Sequence, residues 1–540
     1  MKTGKKRRIS RWLAAALALL LAVGSAAPAG AVSAGELSAA LSACVNHSYA
    51  AVPAPKPGSS MGGEWTVIAL ARGSSRVPQA YFRDFTDALT RYVKGKNGVL
   101  HPVKSTEYSR TVLALTALGE DPSSVGGFDL LAPLGDFRGT LAQGINGAIW
   151  ALIALDSGCY RIPAAPKGAV QGTRQNYLRA VLDAQLPDGG WSLTGREPGD
   201  PDLTAMALQA LAPYRRQQTA ARAAEKGLRF LSEIHSGAEG NYAGANAESA
   251  AQTVLALCAL GVKPGDSRFM RDGTDPLDEL LTYRLNDGSF RHVAGAGPSR
   301  MATEQGLLAL TAASRAAEGK ASVYCMASGR EPGSRGLPGR HPDVLWQPVR
   351  FPERTFADMK NDPARPAAEA LASRGIVAGT GGGLFSPELT VTRAEFAAAE
   401  VQALGLPPAP AAGFRDVPEK KWFAPYVNTA YAYGLCSGEG NGQFSPMHPV
   451  TVQEAAVMAA KAGRLCGLGD VPGGQETGKL LAAWTHGGET ARWAESSMAF
   501  CFRNGLLTAS DDLRPEAPLS RGEMAELIAA VLDAALLLER

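Results

Sequence analysis

One short pattern recurs six times between residues 60 and 315, and it constrains the fold of this chain more than any other feature. An apolar residue is followed by Ala and Leu inside a nearly all-apolar helical stretch. The copies are Ile68-Ala69-Leu70, Leu113-Ala114-Leu115, Trp150-Ala151-Leu152, Met206-Ala207-Leu208, Leu255-Ala256-Leu257 and Leu308-Ala309-Leu310. Their central alanines stand 45, 37, 56, 49 and 53 residues apart, so each interval has room for one more helix and two loops. The intervening stretches differ in kind. Phe82, Phe85, Leu89, Tyr92 and Val93 share one helical face, while Arg83, Asp84, Asp87, Arg91 and Lys94 lie mostly elsewhere. Leu228, Leu231 and His235 similarly follow a polar stretch, Arg215–Lys226. A helix apolar all round must be covered on both sides, whereas a one-sided helix borders water. Six buried helices alternating with six amphipathic ones predict two concentric rings, the inner one narrowed by alanine. An open solenoid or an irregular bundle is the alternative.

Turn chemistry supports the repeat. Gln185-Leu-Pro-Asp188-Gly189-Gly190-Trp191 places a tight Asp-Gly turn after one helix and stows a Trp beneath the next. Asn286-Asp287-Gly288-Ser289-Phe290 and Glu239-Gly240-Asn241-Tyr242 repeat the Gly-x-aromatic element. Glycine permits the turn's positive φ, and the aromatic ring staples neighbouring hairpins. Gln185…Gly189-x-Trp191 resembles the Q-x(n)-G-x-W repeat of squalene cyclases. Leu203–Leu211 and Thr303–Thr311 resemble the prenyltransferase and squalene-oxidase repeats of bacterial surface proteins. The resemblance implies an all-α, α6/α6 toroid with a central cavity over residues 36–325.

The toroid's chemistry has to be argued from its residues. Asp200-Pro201-Asp202-Leu203-Thr204 resembles the D-x-D-D-T acid motif of squalene–hopene-type cyclases, whose central carboxylate protonates an alkene. Asp202 is the catalytic candidate carried over from it, with Asp200 beside it, but Leu203 replaces the third acid. The stronger reading of the same residues is a helix start, with Asp200 as N-cap and Pro201 at the first helical position. Cys258 lacks the Asp two positions earlier that a prenyltransferase zinc site needs, and Thr303-Glu304-Gln305 lacks a thioester cysteine. The seven histidines are scattered, no C-x-x-C pair exists, and no Gly-rich phosphate loop follows a strand pattern, so no metal and no cofactor is expected. The toroid therefore reads as a non-catalytic binding or scaffold domain of unknown ligand. A terpenoid cyclase-like enzyme and a cobalamin-type small-molecule carrier are the alternatives.

Residues 1–31 have the layout of a secretory signal peptide. Lys2, Lys5, Lys6, Arg7, Arg8 and Arg11 precede an apolar run from Trp12 to Val23 and a small-residue tail with an A-x-A site at Ala29–Ala31. That run is too short for a comfortable membrane span, and no transmembrane segment is expected later. The leader holds six positive charges and no acid, so removing it turns a net charge of +3 into −3. Such a balance gives no reason to expect nucleic acid as a partner. The seven cysteines are widely spaced and odd in number, which excludes a disulfide framework.

Residues 326–353 are rich in Pro, Gly and Arg without helical period and read as a solvated linker. A second repeat follows. Phe356-Ala-Asp358-Met, Gly375-Ile-Val-Ala-Gly379, Phe385-Ser-Pro387 and Thr392-Arg393-Ala-Glu395 return as Phe414-Arg-Asp416-Val, Gly434-Leu-Cys-Ser-Gly438, Phe444-Ser-Pro446 and Thr451-Val452-Gln-Glu454. A third copy holds Trp493, Gly505-Leu-Leu507, Leu513-Arg-Pro515 and Ser520-Arg521-Gly-Glu523. Thr-x-x-Glu and Ser-x-x-Glu are capping boxes, each starting a helix. These copies resemble three S-layer homology domains, over residues 354–407, 412–468 and 482–538. The resemblance implies a pseudo-threefold helical spindle that binds secondary cell-wall polysaccharide, pyruvylated or otherwise linked to peptidoglycan, at a Gram-positive cell wall. Carried over residue by residue, it implies polysaccharide contacts at Asp358, Arg393, Asp416, Trp422 and Arg521. An Arg fork suits a ketal carboxylate and an aromatic face suits a sugar. Val452 departs from the Arg position of the second copy. The expected protein is secreted and held at the wall surface.

Overall fold

The computed structural model describes residues 32–73, 76–235, 246–263, 265–326 and 336–538. The leader, the Glu239–Tyr242 turn and part of the predicted linker lie outside them. Helix dominates the described residues, and the two strands are a two-residue ribbon, Phe290–Arg291 paired antiparallel with Pro298–Ser299. None of the described helices is long and apolar enough to cross a membrane. All seven cysteines are buried.

The N-terminal part contains α1 (Ala34–Ala51), α2 (Glu64–Gly73), α3 (Gln79–Gly95), α4 (Ser105–Leu118), α5 (Ile145–Ser157) and α6 (Arg174–Asp183). It continues through α7 (Pro201–Leu211), α8 (Gln218–His235), α9 (Ala247–Leu260), α10 (Pro276–Thr282) and α11 (Arg300–Ala317). The six Ala-Leu copies fall on α2, α4, α5, α7, α9 and α11, and the central alanine of each is completely buried. These six helices are neighbours in order, and α11 packs back against α2. A methyl side chain at each contact lets the backbones approach closely, and larger residues above and below fill the remaining space. The one-sided helices lie against them: α1 on α11 and α2, α6 on α5, α8 on α7 and α10 on α9. On α3, Phe82, Phe85, Leu89 and Val93 are buried while Arg83, Asp84, Asp87, Arg91 and Lys94 are exposed, as the face pattern predicts. The shortest interval departs from the pattern. Between α4 and α5 stand three short helical turns, Ala132–Gly135, Phe137–Thr140 and Leu141–Gln143, in place of the one longer helix that the interval was expected to hold.

The Gln-Gly-Trp element explains how adjacent hairpins lock. Gln185 Nε2 donates to the carbonyls of Gly189 and Ala223, both at 2.9 Å, tying the turn to α8. Gly189 has φ +92°, and a Cβ there would stand 2.7 Å from the Lys226 carbonyl. Trp191, fully buried, donates from Nε1 to the Val181 carbonyl on α6 at 2.7 Å and from its backbone N–H to Thr204 Oγ1 on α7 at 2.9 Å. The second copy repeats the contact: the N–H of buried Phe290 donates to Thr303 Oγ1 on α11 at 2.9 Å.

The C-terminal part contains α12 (Arg365–Ala372), α13 (Arg393–Ala403), α14 (Ala424–Ala432), α15 (Val452–Leu465), α16 (Gly474–Ala482), α17 (Glu495–Arg503) and α18 (Arg521–Ala534). The predicted capping boxes start α13, α15 and α18, at Thr392/Glu395, Thr451/Glu454 and Ser520/Glu523. The residues just before these caps join in a cycle. The Val391 N–H donates to the Leu519 carbonyl at 2.9 Å, Leu519 to Val450 at 2.8 Å and Val450 to Val391 at 2.9 Å. All three side chains are buried, so no donor is left to water.

The described part of the predicted linker is not a solvated tether. Val344, Leu345 and Trp346 are buried in the C-terminal core. The Asp343 carboxylate, 2% exposed, accepts from the Gln175 N–H at the start of α6 and from the Tyr433 hydroxyl after α14, both at 2.9 Å. Sequence composition hid this because one Val-Leu-Trp triplet among Pro, Gly and Arg has no period, yet its apolar area is large enough to anchor the segment.

Candidate functional site

Two places converge chemically useful side chains. The first lies among the capped helices. Arg393, second residue of the T-R-A-E motif, is buried and fully engaged. Nε donates to the Phe444 carbonyl at 3.0 Å, Nη1 to Glu454 Oε1 at 2.8 Å and Nη2 to the Ser437 carbonyl at 3.3 Å. Its guanidinium lies 5.0 Å from the centre of the Phe444 ring. Asp416 takes the other side of the same loop, accepting from the N–H groups of Phe444 at 2.9 Å and Ser445 at 2.7 Å. Ser445 has φ +57°, a left-handed position that these bonds stabilise.

Arg521 and Asp358 repeat the arrangement one copy away. Asp358 accepts from the N–H of Phe385 at 2.9 Å and of Ser386 at 2.7 Å, and Ser386 has φ +59°. Arg521 donates to the carbonyls of the same Phe385 and of Ala378. The five residues singled out by sequence therefore divide. Four form two loop clamps, Asp416 with Arg393 about Phe444 and Asp358 with Arg521 about Phe385. The fifth, Trp422, is 56% exposed and sits beside Phe423 and Tyr426. At the third such position Val452 is buried, and its N–H donates to the Ala517 carbonyl at 2.9 Å.

Arg393 also borders an open groove of about 390 Å³, together with Glu439, Glu454, Lys461 and Trp493. Trp493 is 60% exposed, and Lys461 makes no hydrogen bond among the described residues. Sequence reasoning missed both as site residues. Trp493 occupies in the third copy the place of Trp422 in the second, and Lys461 follows Glu454 by seven residues, two turns along the same face of α15. Glu400 on α13 is buried, with Oε2 unpartnered among the described residues, and burial pushes its carboxyl well above the ordinary range, opposed in part by Lys461.

The second place is a cavity of about 260 Å³ to which all six Ala-Leu helices contribute. Trp65, Thr106, Asn146 and Met301, each the second residue of its helix, line the mouth. Trp150 stands deeper, with its ring centre 5.0 Å from that of Trp65 and 6.0 Å from that of Tyr324. Asp202 is not among its lining residues; the α7 residue there is Met206, one turn on. Asp200 is an N-cap, accepting from the Leu203 N–H at 2.7 Å. Burial raises the Asp202 carboxyl, offset by a hydrogen bond with Ser249.

Comparison with known proteins is specific to the C-terminal part. Residues 355–397 and 413–456 match the S-layer homology domain family. The Surface-layer 125 kDa protein of Lysinibacillus sphaericus is 26% identical over 175 residues, covering 32% of this chain and 14% of that protein. The Surface layer protein of Brevibacillus choshinensis is 38% identical over 126 residues, covering 22% and 11%. The Amylopullulanase of Thermoanaerobacterium thermosulfurigenes is 28% identical over 186 residues, covering 34% and 10%. The chain thus spans about a tenth of the length of these relatives. It carries S-layer homology domains and is a secreted cell-surface protein.

Proposed function

We propose that residues 354–407, 412–468 and 482–538 are three S-layer homology modules forming a pseudo-threefold spindle, and that the spindle holds the protein non-covalently on a pyruvylated secondary cell-wall polysaccharide. The cycle Val391–Leu519–Val450 supports the threefold arrangement, because each copy donates to the next through the same backbone position. The observation that carries the ligand reading is the groove beside Arg393. Lys461 supplies an uncommitted ammonium for a ketal carboxylate, and Trp493 an exposed face for a sugar ring. Arg393 holds the loop on one side of this groove through the carbonyls of Ser437 and Phe444.

Residues 36–325 are, on this reading, an α6/α6 toroid displayed outward as a binding or scaffold domain. The return of α11 to α2 supports ring closure. Asp200 serving as a cap, and Asp202 bonding Ser249 outside the cavity lining, favour binding over alkene protonation. The test is sedimentation of the full chain with purified walls. It should pellet with native walls and stay in solution with walls stripped of pyruvate ketals. Equal pelleting with both, or none with native walls, overturns the assignment.

A further inference from the structure

Three amides inside otherwise apolar helices identify the central cavity as more than residual space. Gln209 Nε2 on α7 donates to Gln252 Oε1 on α9 at 3.0 Å, and Gln252 Nε2 donates to Gln305 Oε1 on α11 at 3.0 Å. This relay fixes Gln305, which lines the cavity, with its own amide N–H groups available as donors. Across the space, Asn146 Oδ1 is buried without a partner among the described residues. Glu304 uses one oxygen to accept from the Gly62 N–H at 2.7 Å and from the Thr66 hydroxyl, and so retains the other. Arg110 is held beside it by Glu64 at 3.2 Å and Glu107 at 2.5 Å.

We infer that this cavity is a binding site for a neutral hydroxylated ring, a single pyranose sugar. The assignment rests on the toroid being a displayed binding domain and names its ligand class. A pyranose has an apolar C–H face, matched by the tilted Trp65–Trp150 pair with Tyr324 at its edge. Its rim of hydroxyls both donates and accepts, and so serves the Gln305 donors and the Asn146 acceptor together. A polyprenyl chain would leave these buried polar groups unpaired, which is costly. A cation would meet Arg110 and an anion would meet Glu304, whereas a neutral polar ring opposes neither. The volume of about 260 Å³ is small for a ligand pocket and suits one ring rather than a chain.

The test is calorimetric titration of the full chain with D-glucose and with N-acetyl-D-glucosamine, alongside farnesol and choline. One sugar should bind saturably. Gln305→Ala and Asn146→Ala should each weaken it about tenfold, the loss of roughly one hydrogen bond's worth of affinity, with the helical circular dichroism unchanged. Sugar binding that survives both substitutions overturns the site. Saturable binding of farnesol or choline alone, lost in Gln305→Ala, overturns the sugar class while leaving a binding toroid. No saturable binding of any of the four to the folded chain overturns the sugar site and leaves the toroid as a scaffold.

Discussion

Arg521 carries its guanidinium over the ring of Phe385, 4.7 Å from its centre, and donates from Nε and Nη2 to the carbonyls of Phe385 and Ala378 at 2.9 and 2.7 Å. Arg393 does the same to Phe444 and Ser437 and adds Glu454. Each arginine reaches from the start of one helix into the loop of another copy, so the fork joins copies rather than stabilising its own helix.

Arg393→Ala should therefore destabilise the C-terminal part by about 2–4 kcal/mol, since it strands a partly buried carboxylate and two loop carbonyls. Arg521→Ala, at a more exposed site without a carboxylate in hydrogen-bond contact, should cost about 1 kcal/mol. Lysine should rescue neither, because it lacks the planar fork. Urea unfolding followed by tryptophan fluorescence measures the difference, and equal losses would contradict it.

Thr204 and Thr303 play one role in two places, accepting the N–H of Trp191 and of Phe290. Thr204→Val and Thr303→Val keep the shape and remove the acceptor. Each should lower stability by about 1–3 kcal/mol, the cost of an unsatisfied buried donor. A double variant should be close to additive, because the two contacts share no partner.

Glu400 gives a pH signature. Burial raises its folded-state carboxyl above the unfolded value, so its contribution is fully present below about pH 4.5 and declines as pH rises. Glu400→Gln should match the wild type in melting temperature near pH 4 and exceed it by a margin that grows towards pH 8. Each kcal/mol gained corresponds to about 2–4 °C for a domain of this size. A margin independent of pH would contradict the assignment.

Lys461→Ala and Trp493→Ala should each reduce pelleting with native walls at least severalfold while leaving the melting temperature within about 1–2 °C, as surface substitutions away from structural features do. Arg393→Ala should lose both stability and wall binding. A Lys461→Ala, Trp493→Ala double variant that pellets like the wild type would move the site elsewhere.

The legible parts of this chain are those fixed by local spacing. The Ala-Leu copies marked six helices whose central alanines are all fully buried, and hydroxyl-x-x-Glu triplets marked the starts of α13, α15 and α18. Gln185, Gly189 and Trp191 were recognisable as a turn, but their bonds to α8, α6 and α7 were not. Asp358, Arg393, Asp416 and Arg521 were recognisable as motif residues; that they pair across copies about Phe385 and Phe444 was not. Residues 343–346 looked like tether and are core.

The sequence by itself thus determined which segments are helical, where they begin and which faces they bury, because caps and periodicity act over three or four residues. Only the tertiary structure decided which side chains share a space. Lys461 and Trp493 line one groove, and Gln209, Gln252 and Gln305 align, through the packing of residues tens of positions apart, and such packing leaves no periodic trace in the chain.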